Sequence, residues 1–266
     1  MSKRSPRGSI KNAFVQKKNV MMAVILRDMR TRFFNHGLGF LVVPLWPLIH
    51  MLVLLAISNV MGRSVPYGES LNVFFGTGLV PTLAFMYVSR FMALSVVLNT
   101  PMMAFPVVNP MDILHGRALL EVSAAFLTLV FIVSFLLATG DDPSPFDLVS
   151  AVEAYISVLF LAVSAGTLAG TITAMFPIFS TVYGLFMIVV YASSGTMFVL
   201  SNLPEQIRVP LSYSPVVQCV EWMRSAYYPG YESNLLSKEY IWGFSLTCMM
   251  LGLGLERAFR RQIRGG

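Results

Sequence analysis

Four side chains in the last quarter of the chain stand closest to a recognisable chemistry: Glu221, Arg224, Tyr227 and Tyr228. A carboxylate, a guanidinium and two phenols on one amphipathic stretch can bind a charged or polar group. The same spacing also allows a simple Glu221–Arg224 pair at i, i+3. Aromatic residues recur at helical spacing elsewhere. Trp46 pairs with His50, Tyr87 with Phe91, and Tyr183 and Met187 with Tyr191. Aromatic faces carry negative quadrupole density and stack on other rings or on apolar C–H groups, so these residues are candidates for lining a path through the protein. Packing, lipid contact or an interfacial aromatic belt would use the same pattern. Catalysis has little to work with. His36, His50 and His115 are scattered without metal-ligand spacing, so no metal site is expected. Cys219 and Cys248 match neither a disulfide framework nor a zinc or redox motif. No G-x-x-x-x-G-K-[ST] phosphate loop and no G-x-S-x-G elbow is present.

The elements that hold these residues follow from composition. Of 266 residues 56% are hydrophobic and 12% charged, against roughly 25% charged in an ordinary soluble domain. With a mean hydropathy of +0.69, a soluble globule, a disordered tail and a disulfide-stapled module are excluded, and lipid is the natural solvent. A hydrocarbon core of roughly 30 Å takes about 20 helical residues to cross. Six stretches qualify: 38–60 with Pro44 and Pro47 inside, 71–94, 118–138, 149–174, 181–200 and 240–257. The expected fold is an all-α membrane protein with six transmembrane helices. A cytoplasmic segment 1–37, a transmembrane domain 38–258 and a basic tail 259–266 are its parts. The G-x-x-x-G at Gly166–Gly170 permits close helix approach, in the bundle or between copies.

Charge orients the spans. Lys3, Arg4, Arg7, Lys11, Lys17, Lys18, Arg27, Arg30 and Arg32 precede the first, and Arg257, Arg260, Arg261 and Arg264 follow the last. That is the positive-inside pattern. It places both termini in the cytoplasm with the 95–117 and 175–180 loops, and puts Arg63, Arg208, Arg224 and Lys238 outside. The same placement explains the pI of 9.5 without nucleic acid. Arg27-Asp28 closes the one short apolar run near the start, so no cleaved signal peptide is read. Arg90 should reach for the cytoplasmic edge of its span, and Glu121 and Glu153 read as boundary residues in contact with water.

Two further segments are informative. Met22, Leu26, Met29 and Phe33 fall at i, i+4, i+7 and i+11, with Arg27 and Arg30 elsewhere, which predicts an interfacial helix against acidic headgroups. Between the last two spans, Pro204, Pro210, Pro215 and Pro229 punctuate a long outer loop. Ser214-Pro215 is an N-cap with proline at the first helical position, so short helices are expected there, dipping towards the membrane. On the inner side Pro101, Pro106 and Pro110 bracket the 95–117 loop, where Asn109-Pro110 predicts a turn into a short helix at 111–115.

Three stretches carry a resemblance. Ile25-Leu26-Arg27-Asp28-Met29-Arg30-Thr31-Arg32-Phe33 leads into Gly37-Leu38-Gly39-Phe40. The inner loop reads Pro106-Val107-Val108-Asn109-Pro110-Met111-Asp112. The outer loop ends Glu221-Trp222-Met223-Arg224-Ser225-Ala226-Tyr227-Tyr228-Pro229-Gly230-Tyr231. Together they resemble the membrane subunit of ABC-2 type polysaccharide exporters of the capsular branch, over nearly the whole chain. Phe34-Asn35-His36 departs from the small or basic residues more usual there.

The resemblance implies an inner-membrane homodimer docked on separate ATPase subunits, which bring the ATP and Mg that this chain has no motif to bind. It implies a lipid-linked acidic glycan as substrate, with periplasmic and outer-membrane proteins beyond. For such a substrate Trp46, His50, Tyr87, Phe91, Tyr183 and Tyr191 become candidates for lining the path by stacking on sugar faces, and Glu221, Arg224, Tyr227 and Tyr228 for an outer gate. Pro106, Asn109, Pro110, Asp112 and Arg117, with Arg27 and Arg30, then become candidates for coupling to the ATPase, and Asp112 or Arg117 for bridging to it. Export of O-antigen or teichoic acid type glycans or small drugs is the neighbouring reading. A membrane-embedded enzyme acting on lipid-linked sugars lacks a catalytic cluster, and an anchor or receptor does not call for so many spans.

Overall fold

In lipid, a backbone without water must satisfy its own polar groups, so long apolar runs become helices. The computed structural model describes residues 10–32 and 39–265. It is all-helical, 80% helix, with no strand among the described residues. In chain order the helices are α1 (Ile10–Arg32), α2 (Gly39–Val60), α3 (Leu71–Leu98), the single turn α4 (Thr100–Met103), α5 (Pro110–Thr139), α6 (Leu148–Met175), α7 (Phe179–Ser193), α8 (Glu205–Ser212), α9 (Pro215–Tyr227) and α10 (Lys238–Gly265).

Local chemistry sets the ends. Ser70 accepts from the Val73 amide at 3.2 Å to start α3, and Asp147 from the Ser150 amide at 3.1 Å to start α6. Asn109, with Pro110 at the first helical position, starts α5, and Gly140, at φ 83°, ends it. The short helix expected at 111–115 is therefore not separate. Pro110 lets α5 run unbroken from loop to bundle, and 111–115 are its first turns. The fifth apolar run is corrected too. α7 stops at Ser193, short of the expected 200, because Gly195 at φ 82° turns the chain. Two short helices, α8 and α9, occupy the segment between α7 and α10, as the prolines suggest.

Three helices, α3, α5 and α6, are long and apolar enough to cross a membrane, and Pro44–Val60 and Phe179–Ser193 are shorter apolar helices. α3 is the hub, buried along most of its length. The G-x-x-x-G serves packing inside the chain. A Cβ on Gly166 would stand 2.8 Å from Met92 Sδ of α3, and one on Gly170 would collide with Leu114 of α5. By contrast, α2 and α7 leave Leu45, Ile49, Val53, Val182, Leu185 and Ile188 exposed.

α1 has two faces. Met22 and Leu26 of the apolar stripe are exposed, as an interfacial helix requires, while Phe33 and the Phe34-Asn35-His36 departure lie outside the described residues. The opposite face is not a solvated basic side. Val20 and Val24 pack on Val108 and Ile113, and Asp28 is 5% exposed.

Candidate functional site

Three groups of residues gather the candidates. On the α1 side of the bundle, Arg117 of α5 is 1% exposed and ion-pairs with both Asp28, at 3.0 Å, and Glu121. Asn99, after α3, donates to Asp28 at 3.2 Å and accepts from Arg27 at 3.0 Å. Asp112 is 2% exposed, accepts from the Asn109 backbone at 3.1 Å and faces Lys17 at 3.7 Å. Asp112 and Arg117 thus hold α1 onto the start of α5, and neither stands at the surface to bridge to another subunit, which corrects that expectation. Glu121, read as a residue in contact with water, is 3% exposed and paired. Glu153 is exposed, 3.7 Å from Lys238, as a boundary residue should be. What projects is the loop tip, with Phe105 64% and Val107 48% exposed on either side of exposed Pro106. Arg30 is also exposed, and Arg27 half-buried. Sequence reasoning missed Asp28 and Asn99. The available signal was an acid inside a basic helix together with an Arg117–Glu121 i, i+4 pair in an apolar run.

The second group is an aromatic strip across α2, α3 and α7. His50 Nε2 and Tyr191 Oη are 2.7 Å apart, with the rings edge to face at 5.2 Å. Tyr87 and Phe91 stack at 5.9 Å, and Arg117 lies 5.2 Å from the Phe91 ring centre. Trp46 is 61% exposed, and Tyr87, Phe91, His50 and Tyr191 are half-buried. These are the exposures of side chains that keep a free face. Tyr183 sits apart, stacked on Phe179 at 5.9 Å beside an apolar cavity of about 420 Å³ between α3, α6, α7, α9 and α10.

The third group is the α9 segment, where burial overturns the exposed gate. Arg224 is 0% exposed; it donates to the Phe198 carbonyl at 2.7 Å and the Thr196 carbonyl at 3.1 Å, with Phe74 4.1 Å below it. A Cβ on Gly78 would lie 2.9 Å from Thr196 Cα and 3.1 Å from the guanidinium, so this approach needs glycine there. Glu221 is 4% exposed and accepts from Tyr231 Oη at 2.8 Å. Burial pushes its carboxyl above the ordinary range, against the hydrogen bond from Tyr231 and the nearby Arg224. No ion pair joins Glu221 to Arg224 among the described residues. Tyr227 faces an apolar cavity of about 340 Å³ between α3, α5, α6 and α9, and Tyr228 covers Gly68. These side chains fix α9 to α3 and to the turn after α7; Glu221 and Arg224 present no surface to a polymer.

Among the described residues no group of three or more histidine, cysteine or acidic side chains is placed to hold a metal ion. Long apolar helices around a buried hub, exposed apolar flanks and an aromatic strip define a multi-pass membrane protein. No protein-family model matches the sequence. Individual relatives do. The polysialic acid transport protein KpsM of Escherichia coli is 30% identical over 248 residues, 93% of this chain and 96% of its own length. The capsule polysaccharide export inner-membrane protein CtrC of Neisseria meningitidis serogroup A is 24% identical over 93% of each chain, and BexB of Haemophilus influenzae 21% over 96% of each. The chain belongs to this family of capsule polysaccharide export inner-membrane proteins, the ABC-2 permease type, and is a multi-pass protein of the inner membrane.

Proposed function

We propose that this chain is the permease half of an ATP-driven exporter that moves a lipid-linked, acidic capsular glycan across the inner membrane. Two copies form the path, each docked on a separate ATPase subunit that carries the ATP and Mg, and periplasmic and outer-membrane proteins continue the route. The chain crosses the bilayer six times, through α2, α3, α5, α6, α7 and α10, with both termini and the 1–37 and 259–266 segments in the cytoplasm. α7 is about 22 Å long at 1.5 Å per residue, short of the hydrocarbon thickness. The turn after it completes the crossing, and irregular backbone at that depth is acceptable because it is packed against protein.

The observation that carries the reading is the exposed Phe105-Pro106-Val107 tip. It stands on a base fixed by Arg117, Asp28, Asn99 and Asp112, and such a rigid apolar knob can pass a partner's movement to α3 and α5. A partner shifts the bundle only if it binds its two states differently, so the tip has to be gripped differently in the two nucleotide states. His50, Tyr87, Phe91, Tyr191 and Trp46 line the glycan path. The tip sets the test. Affinity purification of the wild-type chain should recover a phosphate-loop ATPase in equal stoichiometry. The Phe105→Glu, Val107→Glu double variant should lose it while still inserting in the membrane. Undiminished recovery would overturn the docking assignment.

A further inference from the structure

Two arginines flank Phe91, and they are treated oppositely. Arg117 is buried and neutralised by Asp28 and Glu121. Arg90 is exposed and pairs with no carboxylate among the described residues. Yet Arg90 is not at the end of its helix. It sits about two turns, or roughly 12 Å at 1.5 Å per residue, before α3 ends at Leu98. α3 is about 42 Å long against a hydrocarbon core of roughly 30 Å, so Arg90 stands near the edge of its span, where a guanidinium beside apolar helix faces calls for water or an anion. The surroundings keep it in place. A Cβ on Gly184 of α7 would lie 3.4 Å from Arg90 Nε and 3.5 Å from Nη2, so the guanidinium lies across the α7 backbone where that residue has no side chain. Tyr87, at i−3, lies on the Arg90 side of α3 and stacks on Phe91, and the His50–Tyr191 pair spans from α2 to α7 beside the same strip.

Resting on the transport reading above, we propose that Arg90 is the residue by which the path selects an acidic glycan: its guanidinium takes a carboxylate or phosphodiester of the polymer while the aromatic strip takes the sugar faces. A guanidinium offers a planar fork of donors matched to such anions. Aromatic rings alone would accept neutral sugars equally well, so the cation supplies the discrimination. A phospholipid headgroup has the same anionic chemistry; the half-exposed strip beside Arg90, which a headgroup would leave unused, favours the glycan.

The full chain, purified with its ATPase partner, is to be titrated with a sialic acid oligomer, with neutral dextran of matched length, and with phosphatidylglycerol vesicles as competitor. Arg90→Gln should weaken the acidic oligomer about tenfold or more and leave dextran unchanged, and added salt should weaken wild type much more than the variant. Arg90→Lys should recover part of the loss. Gly184→Leu, which keeps the charge but occupies its resting place, should repeat it. Equal affinity of wild type and Arg90→Gln for the acidic oligomer overturns the inference alone, as does displacement of the oligomer by the vesicles. A wild type that binds neither glycan overturns the transport reading, and this inference with it.

Discussion

The two ends of the bundle each bury an arginine, and they satisfy it in different currencies. Arg224, on the α9 side, is held by two backbone carbonyls and an aromatic ring. Arg117, on the α1 side, is held by two carboxylates, one of which, Asp28, arrives on another helix. A cation bound by carbonyls is a fixed part of the fold. One bound by a carboxylate on a neighbouring helix is a clasp, because the neighbour can leave when its charge is changed. The α9 end is thus a brace held through backbone and ring, and the α1 end a clasp held through charge carried on a second helix.

The sharpest way to break this contrast is to remove each cation. Arg224→Ala strands two buried carbonyls, at about 1–3 kcal/mol each, and opens a cavity that adds to the loss. The expected result is a low yield of folded protein and a much reduced melting temperature in detergent. Near-wild-type melting would show the brace to be dispensable. Asp28→Asn should be milder, about 1–3 kcal/mol for a weakened charged hydrogen bond, and its effect should be local. Limited trypsin digestion should cut within α1 at Lys17 and Lys18 sooner than in wild type, with the bundle intact. If α1 stays protected while the whole chain melts earlier, the clasp is a brace as well.

This difference explains what the sequence discloses and what it withholds. The long helices are legible because an apolar run beside Ser70, Asn109-Pro110 or Asp147 has only one way to fold in lipid. The short helices between α7 and α10 are legible from Ser214-Pro215. The end of α7 is not, since the residues after Ser193 remain apolar and only Gly195 marks the turn. Arg224 and Glu221 look like surface chemistry because charge on an amphipathic stretch ordinarily faces water. Their partners, the Thr196 and Phe198 carbonyls and Tyr231, are backbone or distant in sequence and leave no pattern. Asp28 hides for a similar reason. Its partners, Arg117 and Asn99, stand far along the chain, so the basic helix around it reads as a solvated face. The aromatic strip is half legible: spacing finds the pairs on α2, α3 and α7, but only the fold brings His50 to Tyr191 and leaves Tyr183 elsewhere.

The smallest effects sharpen the contrast through pH. At Asp141, between α5 and α6, burial is the largest single influence and pushes the carboxyl up, but hydrogen bonds from Ser70 at 2.5 Å, Thr139 at 2.6 Å and Asn72 at 2.7 Å together outweigh it and hold the carboxyl below the ordinary value. Glu221 in the brace is shifted the other way, upward, by burial. The signs are opposite. A depressed carboxyl adds stability above its unfolded value, near 3.8, and that stability is lost as pH falls through the folded value. A raised carboxyl adds stability below its unfolded value, near 4.5, and loses it as pH rises through the folded one. Asp141→Asn should therefore cost about 1 kcal/mol at neutral pH and remove part of the loss of melting temperature on acidification. Glu221→Gln keeps an acceptor for Tyr231 without the buried charge. It should be neutral or slightly stabilising at pH 7, and its advantage over wild type should shrink as the pH is lowered towards 4.5. An advantage that grows on acidification would mean that the brace depends on an ionised Glu221, and that both arginines after all require a carboxylate.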